Sequence, residues 1–409
     1  MEHVYAEVPY YRAVFEERRL KPSDVACVAD LRKLPILTKR IIRDRFDDLI
    51  CPAYRTRMSE YQTGGSTAEP MRFCRPPVVK QWGRAAALRA WKWEGYRLGD
   101  KQVLLSGSTF DVKRLSGLKC RLERAVNRVL LLDGHVLSDE MCRQYVPRIR
   151  RFRPKVFLGY ANSLFILAGY LLRNNVSDIR PEAVLSTAET LLPARRAAIE
   201  RAFQCDVYDA YGSREASLFA AQCEQKAGFH VSTDTTAVEI VKDGRPAEPG
   251  ELGKILLTDL KNYGMPFIRY QIEDVAVAGD EPCPCGRSLP TFRAVQGRMS
   301  NIISLPDGRH VHPLYLMNLM YPAPVQDWAS KEKRIEGIAR FQIVQEGPTE
   351  FVVKIIREPG TNVDYSYIAR NFCEFLAEDV TVQLDFVDDI PTPASGKRQH
   401  IISKVEPRI

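Results

Sequence analysis

The sequence has no apolar run long enough to cross a bilayer; its runs, such as Val129 to Leu132, end after a few residues. The opening MEHVYAEVPYYR lacks a basic stretch followed by an apolar core, so no secretory signal is visible and the expected address is the cytoplasm. No Lys/Arg run with interleaved aromatics marks a nucleic-acid surface, although 59 basic against 51 acidic residues give a net charge of +8. Ten cysteines are scattered over 409 residues rather than framed, which argues against a disulfide scaffold and for reduced thiols. Internal repeats and low-complexity segments are also missing. These absences exclude a membrane span and a nucleic-acid surface. They leave a globular chain, 45% hydrophobic and 27% charged, too long for one core and expected to form a large and a smaller domain.

Residues 1 to about 50 read as helical, with SDVACVADLRKLP and TKRIIRDRF carrying apolar residues at three- and four-residue spacing. A helix is expected over Val78 to Tyr96, then a strand at QVLLSGS, a helix near 137–151, and strand KVFLGY. Helix NSLFILAGYLLR, strand AVLSTAE, helix LPARRAAIERAF and strand DVYDAYG follow. Short apolar runs alternating with helices predict an α/β fold with a parallel sheet covered on both faces, and ligands at the carboxyl ends of its strands. From residue 237 the texture turns to hairpins, with CPCG at 283–286 as a tight turn. After Arg298 a β-β-α-β order predicts a compact α+β module. The expected domains are therefore 1–299 and 300–409.

One stretch is crowded with hydroxyls and glycine: Thr63-Gly64-Gly65-Ser66-Thr67. Exposed N–H groups, little side-chain bulk and tolerance of positive φ suit it to an anion, as a phosphate clamp would need. It has neither the Walker ending nor a GxGxxG, and an ordinary loop is the competing reading. Cys223, His230, Cys283 and Cys285 form a C-x6-H…C-x-C-G constellation, whose thiolates and imidazole suit a closed tetrahedral zinc site. Buried free thiols are the alternative there. The basic RIRRFRPK at 148–155 is read as a solvated helix end, with a phosphate-rich ligand as the second reading. His135, His310, His312 and His400 have no partner pattern and take no role.

Five pieces in order carry a resemblance. The stretch 63–70 resembles the phosphate loop of adenylate-forming enzymes, and DAYGSRE at 209–215 resembles their adenine and magnesium motif. MPFIRYQIEDVA and QGRMSNII resemble their ribose and hinge motifs, and IPTPASGKRQ their terminal catalytic-lysine motif. VPYYRAVFEERRL and LPILTKRIIRDRF fit the phenylacetate-CoA ligase branch, which includes capsule-biosynthesis relatives. The resemblance implies a large adenylation domain with a β-rich subdomain and a small mobile lid. It further implies ATP-dependent activation of a carboxylic acid, aryl or arylacetic by family weight, as an acyl-adenylate. The acceptor is CoA in the namesake enzymes, and an amine in a capsule or natural-product pathway is the alternative.

The resemblance assigns residues as follows. Thr63, Gly64, Gly65, Ser66 and Thr67 would cradle phosphates; Asp209, Ala210, Tyr211 and Gly212 would take adenine; Glu215 would hold Mg²⁺; Glu189 is a nucleotide-site position. Asp274 and Arg298 would contact ribose, and Lys397 would bring an ammonium to the reacting phosphate from the mobile lobe. Ser106, Phe110, Tyr160 and Ala161 are candidates to line an acyl pocket at strand ends. Each has a plain structural alternative: packing for Tyr211, a helix N-terminus for Glu215, a buried ion pair for Asp274 and Arg298, a tail-loop lysine for Lys397. A subset of the branch carries a structural zinc, which would staple the hairpin region to the adenine strand. Three positions depart from the family pattern: Ser300 for the hinge aspartate, Glu273 for a glycine, and Ala68-Glu69 before Pro70. They motivate a rival reading, a catalytically silent nucleotide-binding scaffold. A homodimer remains open.

Overall fold

The computed structural model describes residues 1–63, 71–106, 118–134, 137–279, 282–298, 303–307, 309–311, 316, 319–321, 335–376, 379–391 and 401–405. Three short helices, α1 (Glu2–Glu7), α2 (Pro9–Glu17) and α3 (Lys39–Asp44), open the chain. The helix expected over SDVACVADLRKLP is instead two 3₁₀ segments, Pro22–Asp24 and Val28–Lys33. The Asp24 carboxylate takes the N–H of Lys21 (2.7 Å), and that of Asp30 takes those of Ala26 (3.1 Å) and Cys27 (3.2 Å). Such local side-chain acceptors compete with the i→i−4 ladder and leave tight turns in place of an α-helix.

A hairpin of β1 (Ser59–Gln62) and β2 (Arg72–Arg75) leads into α4 (Pro77–Trp93), which starts on a proline at its first position. Its buried residues, Val79, Gly83, Ala86, Ala87, Ala90 and Trp91, recur at helical spacing. Gly83 is dictated by contact: a Cβ there would stand 2.4 Å from that of Ser217.

Strands β3 (Gln102–Ser106), β4 (Val129–Asp133), β5 (Val156–Tyr160), β6 (Ala183–Thr187) and β7 (Asp206–Ser213) alternate with α5 (Leu118–Val126), α6 (Asp139–Phe152), α7 (Ala161–Arg173) and α8 (Pro193–Phe203). They pair in parallel in the spatial order β4-β3-β5-β6-β7. The two-residue period of the strands divides the core. Phe157, Val184 and Val207 face α6–α8, whereas Val156, Leu185 and Tyr208 face Trp91 of α4. Both faces are thus covered, as the near-continuous apolar runs require.

At β7 the sheet changes character. The next strand, β8 (Ser217–Gln222), returns antiparallel. β9 (Phe229–Val231), β10 (Thr236–Lys242), β11 (Arg245–Pro246), β12 (Leu252–Asp259), β13 (Tyr270–Ala278) and β14 (Thr291–Arg298) extend the same sheet to twelve strands. This antiparallel half packs against α2 and its neighbours through Phe15, Phe73, Phe219, Phe267 and Tyr270.

The remaining elements are a two-stranded pair, β15 (Ile303–Ser304) with β16 (His310–Val311), and a four-stranded sheet. That sheet comprises β17 (Ile338–Gln345), β18 (Glu350–Arg357), β19 (Thr381–Phe386) and β20 (Ile401–Ser403), with α9 (Ser366–Phe375) between β18 and β19. β20 adds to the expected β-β-α-β order and pairs in parallel with β17. Ile343, Phe351, Val353, Ile368 and Phe372 form a core of their own. The fold is α/β: a large parallel-to-antiparallel sheet unit and a small α+β unit. No described helix is long and apolar enough to cross a membrane.

Glu94, which caps α4, is only 4% exposed, and neither of its carboxyl oxygens has a hydrogen-bond partner among the described residues. Burial first, and the nearby Asp209 second, push its carboxyl well above the ordinary glutamate value. The folded chain therefore binds this proton more tightly than the unfolded chain, so stability falls as pH rises above about 4.5. Glu94→Gln, which mimics the protonated acid, should raise the melting temperature at pH 8, by about 1–3 kcal/mol of stability, and change little at pH 4. Thermal melts across that range check it; a pH-independent difference would contradict it.

Candidate active site

The site is built where β7 hands over to β8. A parallel strand ends there beside an antiparallel neighbour, so its terminal side chains stand at a crevice rather than under a crossover helix. Tyr211, on β7, places its ring edge-on to Phe219 (4.9 Å between centroids) and Phe292 (6.2 Å). That packing fixes the phenol, whose oxygen donates to Asp274 Oδ2 at 2.6 Å. Asp274 lies on β13 in cross-strand register with Arg298 of β14. The Arg298 Nε sits 3.2 Å from Asp274 Oδ1, so the carboxylate is held on both oxygens. Burial raises the Asp274 proton affinity, and the Arg298 charge and the Tyr211 hydrogen bond act against that rise. Burial and the facing Asp274 carboxylate push the Tyr211 phenol well up, which keeps it a donor.

Glu215 lies in the β7–β8 turn and not at a helix N-terminus, so the macrodipole alternative does not apply. It is 7% exposed, and its Oε1 accepts from Tyr270 Oη at 2.9 Å. Tyr270 is fully buried at the start of β13, four residues before Asp274. The turn is tied to the hairpin by Arg75, which donates to the carbonyl of Arg214 and to Ser217 Oγ (3.0 Å). Arg214 reaches the carbonyl of Gln62 at 3.2 Å. Beside it, Thr63 and Met71 exchange hydrogen bonds, Thr63 N to Met71 O and Met71 N to Thr63 Oγ1, each 2.9 Å. The root of the glycine-rich stretch is thereby closed next to Glu215. Gly64, Gly65, Ser66 and Thr67 themselves lie outside the described residues, as do Phe110, Ser300 and Lys397.

Asp209, Ala210 and Gly212 complete the β7 segment. The N–H of Asp209 donates to Gln222 Oε1 (3.1 Å), which also accepts from Arg196 (2.7 Å). Burial pushes the Asp209 carboxyl up to about 7 against the opposing Arg196 charge. Gly212 crosses so close to β8 that a Cβ would stand 2.5 Å from the Ser217 carbonyl oxygen. Glu189 Oε2 accepts the N–H of Asn162 at 2.7 Å, at the N-terminal end of α7. That brings it beside Tyr160, half-buried at the end of β5, and Ala161, which packs into the α6–α8 core. Ser106 ends β3 and is buried.

The four cysteine and histidine residues converge. Cys223 Sγ lies 3.6 Å from Cys283 Sγ, and Cys285 Sγ 3.5 Å from His230 Nε2. All four ligand atoms lie within 4.8 Å of one another. A tetrahedron with Zn–S of about 2.3 Å and Zn–N of about 2.0 Å has edges of roughly 3.5–3.8 Å, so this donor set could hold such an ion. Gly286, at φ +76°, closes the turn with its N–H on the Cys283 carbonyl (3.1 Å).

A family model described as the CapK C-terminal domain matches residues 328–404. Protein CapK of Staphylococcus aureus is 27% identical over 406 residues, covering 97% of this chain and 85% of that one. Phenylacetate-coenzyme A ligase of Pseudomonas putida is 24% identical over 362 residues, covering 86% and 78%. These matches liken the chain to the phenylacetate-CoA ligase and CapK-like branch of the adenylate-forming enzymes. Its fold also matches a 2-hydroxyisobutyryl-CoA ligase structure in the postadenylation state, complexed with R3-HIB-AMP. That match has a TM-score of 0.70 at 18% identity and covers 100% of this chain and 88% of that one.

Sequence reasoning singled out Tyr211, Glu215, Asp274 and Arg298, which the structure brings together, but it missed Tyr270, Arg75 and Lys39, whose side chain pairs with Glu273. Tyr270 stood inside the FIRYQIED stretch, and only its hydrogen bond to Glu215 distinguishes it from an ordinary core tyrosine. Tyr270→Phe removes the donor and leaves a buried carboxylate short of a partner, so it should cost about 1–3 kcal/mol in urea unfolding. An unchanged midpoint would show that the bond holds nothing in place.

Proposed function

We propose that the chain uses ATP to activate a carboxylic acid and passes the acyl group to a thiol. The observation that carries the reading is the convergence of Tyr211, Asp274, Arg298 and Glu215 at the sheet's switch from parallel to antiparallel, next to the root of the glycine-rich stretch. A substrate carboxylate oxygen attacks the α-phosphorus, the bond to the β-phosphate bridge breaks, and pyrophosphate leaves with the electron pair. The acyl-adenylate then loses AMP when the thiolate sulfur attacks its carbonyl carbon. Tyr211 offers adenine an aromatic face, and Asp274 and Arg298 take the ribose hydroxyls. Two anions meet in the first step, so a cation must stand where charge develops; Lys397 takes that role, delivered by a mobile unit of residues 300–409 against residues 1–299.

Glu215 would hold Mg²⁺, which neutralises phosphate charge when bound. Cys223, His230, Cys283 and Cys285 would hold a structural zinc that ties the loop before β14 to β8 and β9. The relatives named as phenylacetate-coenzyme A ligases support an aryl or arylacetic acid and CoA as acceptor. An amine acceptor, giving an amide, is the second reading.

Pyrophosphate exchange across a panel of carboxylic acids tests the reading. Exchange should appear with at least one acid and fall by about 10²–10³ in Lys397→Ala, with the melting temperature unchanged. No exchange with any acid, in protein that binds ATP, would replace the enzyme with a nucleotide-binding scaffold. Product masses with CoA and with amines then separate thioester from amide. For the metal, native mass spectrometry should find one zinc per chain that is lost in Cys283→Ser together with several degrees of melting temperature; metal-free wild type at full stability would rule the site out.

A further inference from the structure

Just before β13 and within it, two residues adopt a left-handed backbone without being glycine: Arg269 at φ +52° and Glu273 at φ +66°. Side chains are disfavoured there, so something must hold each in place. For Arg269 the holder is plain: it pairs with Glu239 at 3.1 Å and donates to the Leu34 carbonyl at 2.8 Å. For Glu273 it is Lys39, whose ammonium donates to Glu273 Oε2. Lys39 is the first residue of α3, where the helix dipole disfavours a cation, so its position also needs a partner to justify it. The backbone joins the same two segments: Leu37 bridges Tyr270, with Leu37 N to Arg269 O at 3.1 Å and Gln271 N to Leu37 O at 2.9 Å.

The consequence falls on Arg298. Its Nη1 lies 3.8 Å from the same Glu273 oxygen that Lys39 engages and donates to the Ile272 carbonyl at 3.3 Å, while its Nε faces Asp274 Oδ1 at 3.2 Å. Charges therefore alternate along Lys39, Glu273, Arg298 and Asp274, and the chain ends on the Tyr211 phenol. Lys39 is 15% and Asp274 13% exposed at the side chain, so the ends of this relay are shielded from solvent while Glu273 and Arg298, at 36% and 39%, are more open to it.

We propose that Lys39 and Glu273 are a positioning pair for the ribose subsite, holding the Arg298 guanidinium on Asp274 so that both receive the sugar hydroxyls of the bound nucleotide. The inference rests on the adenylate-forming reading and names a control on it from a segment 234 residues away in sequence. Glu273 alone would pull Arg298 off Asp274; Lys39 engages the same carboxylate oxygen and fixes its reach.

Calorimetric titration of the full chain with MgATP and with Mg-2′,3′-dideoxyATP tests this. Wild type should prefer ATP. Lys39→Met and Glu273→Gln should each lower ATP affinity about fivefold to tenfold while leaving dideoxyATP affinity unchanged, so that the preference collapses. The double variant should be no worse than either single one, and Lys39→Arg should keep the preference. Melting curves confirm that the variants are folded, and Glu273→Gln keeps the side-chain size where Lys39→Met does not. Equal weakening toward both ligands would mean a merely structural pair and overturn the proposal, as would unchanged affinities. Wild type that prefers ATP with variants that do too sinks only this inference; wild type that binds no ATP sinks the ligase reading with it.

Discussion

The carboxylate of Asp274 is the point on which the site depends. It takes Tyr211 on one oxygen and Arg298 on the other, and so joins the neighbouring strands β13 and β14 to β7, which lies beyond β9 and β8 in the sheet order. A charge in that shielded position needs both partners, because an unpaired buried carboxylate would protonate rather than stay ionised. Arg298 and Tyr211 oppose the rise in proton affinity that burial brings and fix the carboxylate in place. The same economy explains the neighbouring Glu215, where Tyr270 serves one oxygen and leaves the other uncommitted by that bond.

The sheet's change of direction makes this possible. Five parallel strands with helices on both faces end at β7, and the return of β8 leaves no crossover helix over the β7 carboxyl end. The close passage of Gly212 over Ser217 and of Gly83 against the same residue brings hairpin, α4 and turn into one corner. From there Arg75 reaches the carbonyl of Arg214, and Arg214 that of Gln62, just before the glycine-rich stretch. The cysteine–histidine cluster gathers β8, β9 and the loop before β14 on the same antiparallel side of the sheet.

Much of this is legible in the amino-acid sequence. The alternation of strands and helices from Gln102 to Ser213 follows from short β-branched runs bounded by polar turns, and it holds with ends shifted by a few residues, save that α5 and β4, between Leu118 and Asp133, were not among the expected elements. The 3₁₀ segments between Pro22 and Lys33 were not legible, because apolar spacing there mimics a helix while Asp24 and Asp30 capture the backbone N–H groups. Tyr211, Asp274 and Arg298 stood out by motif; their mutual hydrogen bonds did not. Pairings such as Tyr270 with Glu215, 55 residues apart, or Lys39 with Glu273 depend on how distant segments are laid side by side, which local pattern does not encode. Glu273 carried a visible signal as a departure from glycine, but only its left-handed backbone shows why a partner is needed there.

The central claim is that the crevice at the β7–β8 switch takes a nucleotide with its sugar on Asp274. A structure of the full chain with ATP tests it most directly. The account predicts an adenine ring against Tyr211 and ribose hydroxyls within hydrogen-bond distance of Asp274 and Arg298. A nucleotide bound elsewhere, with the Tyr211–Asp274–Arg298 group untouched, would contradict it.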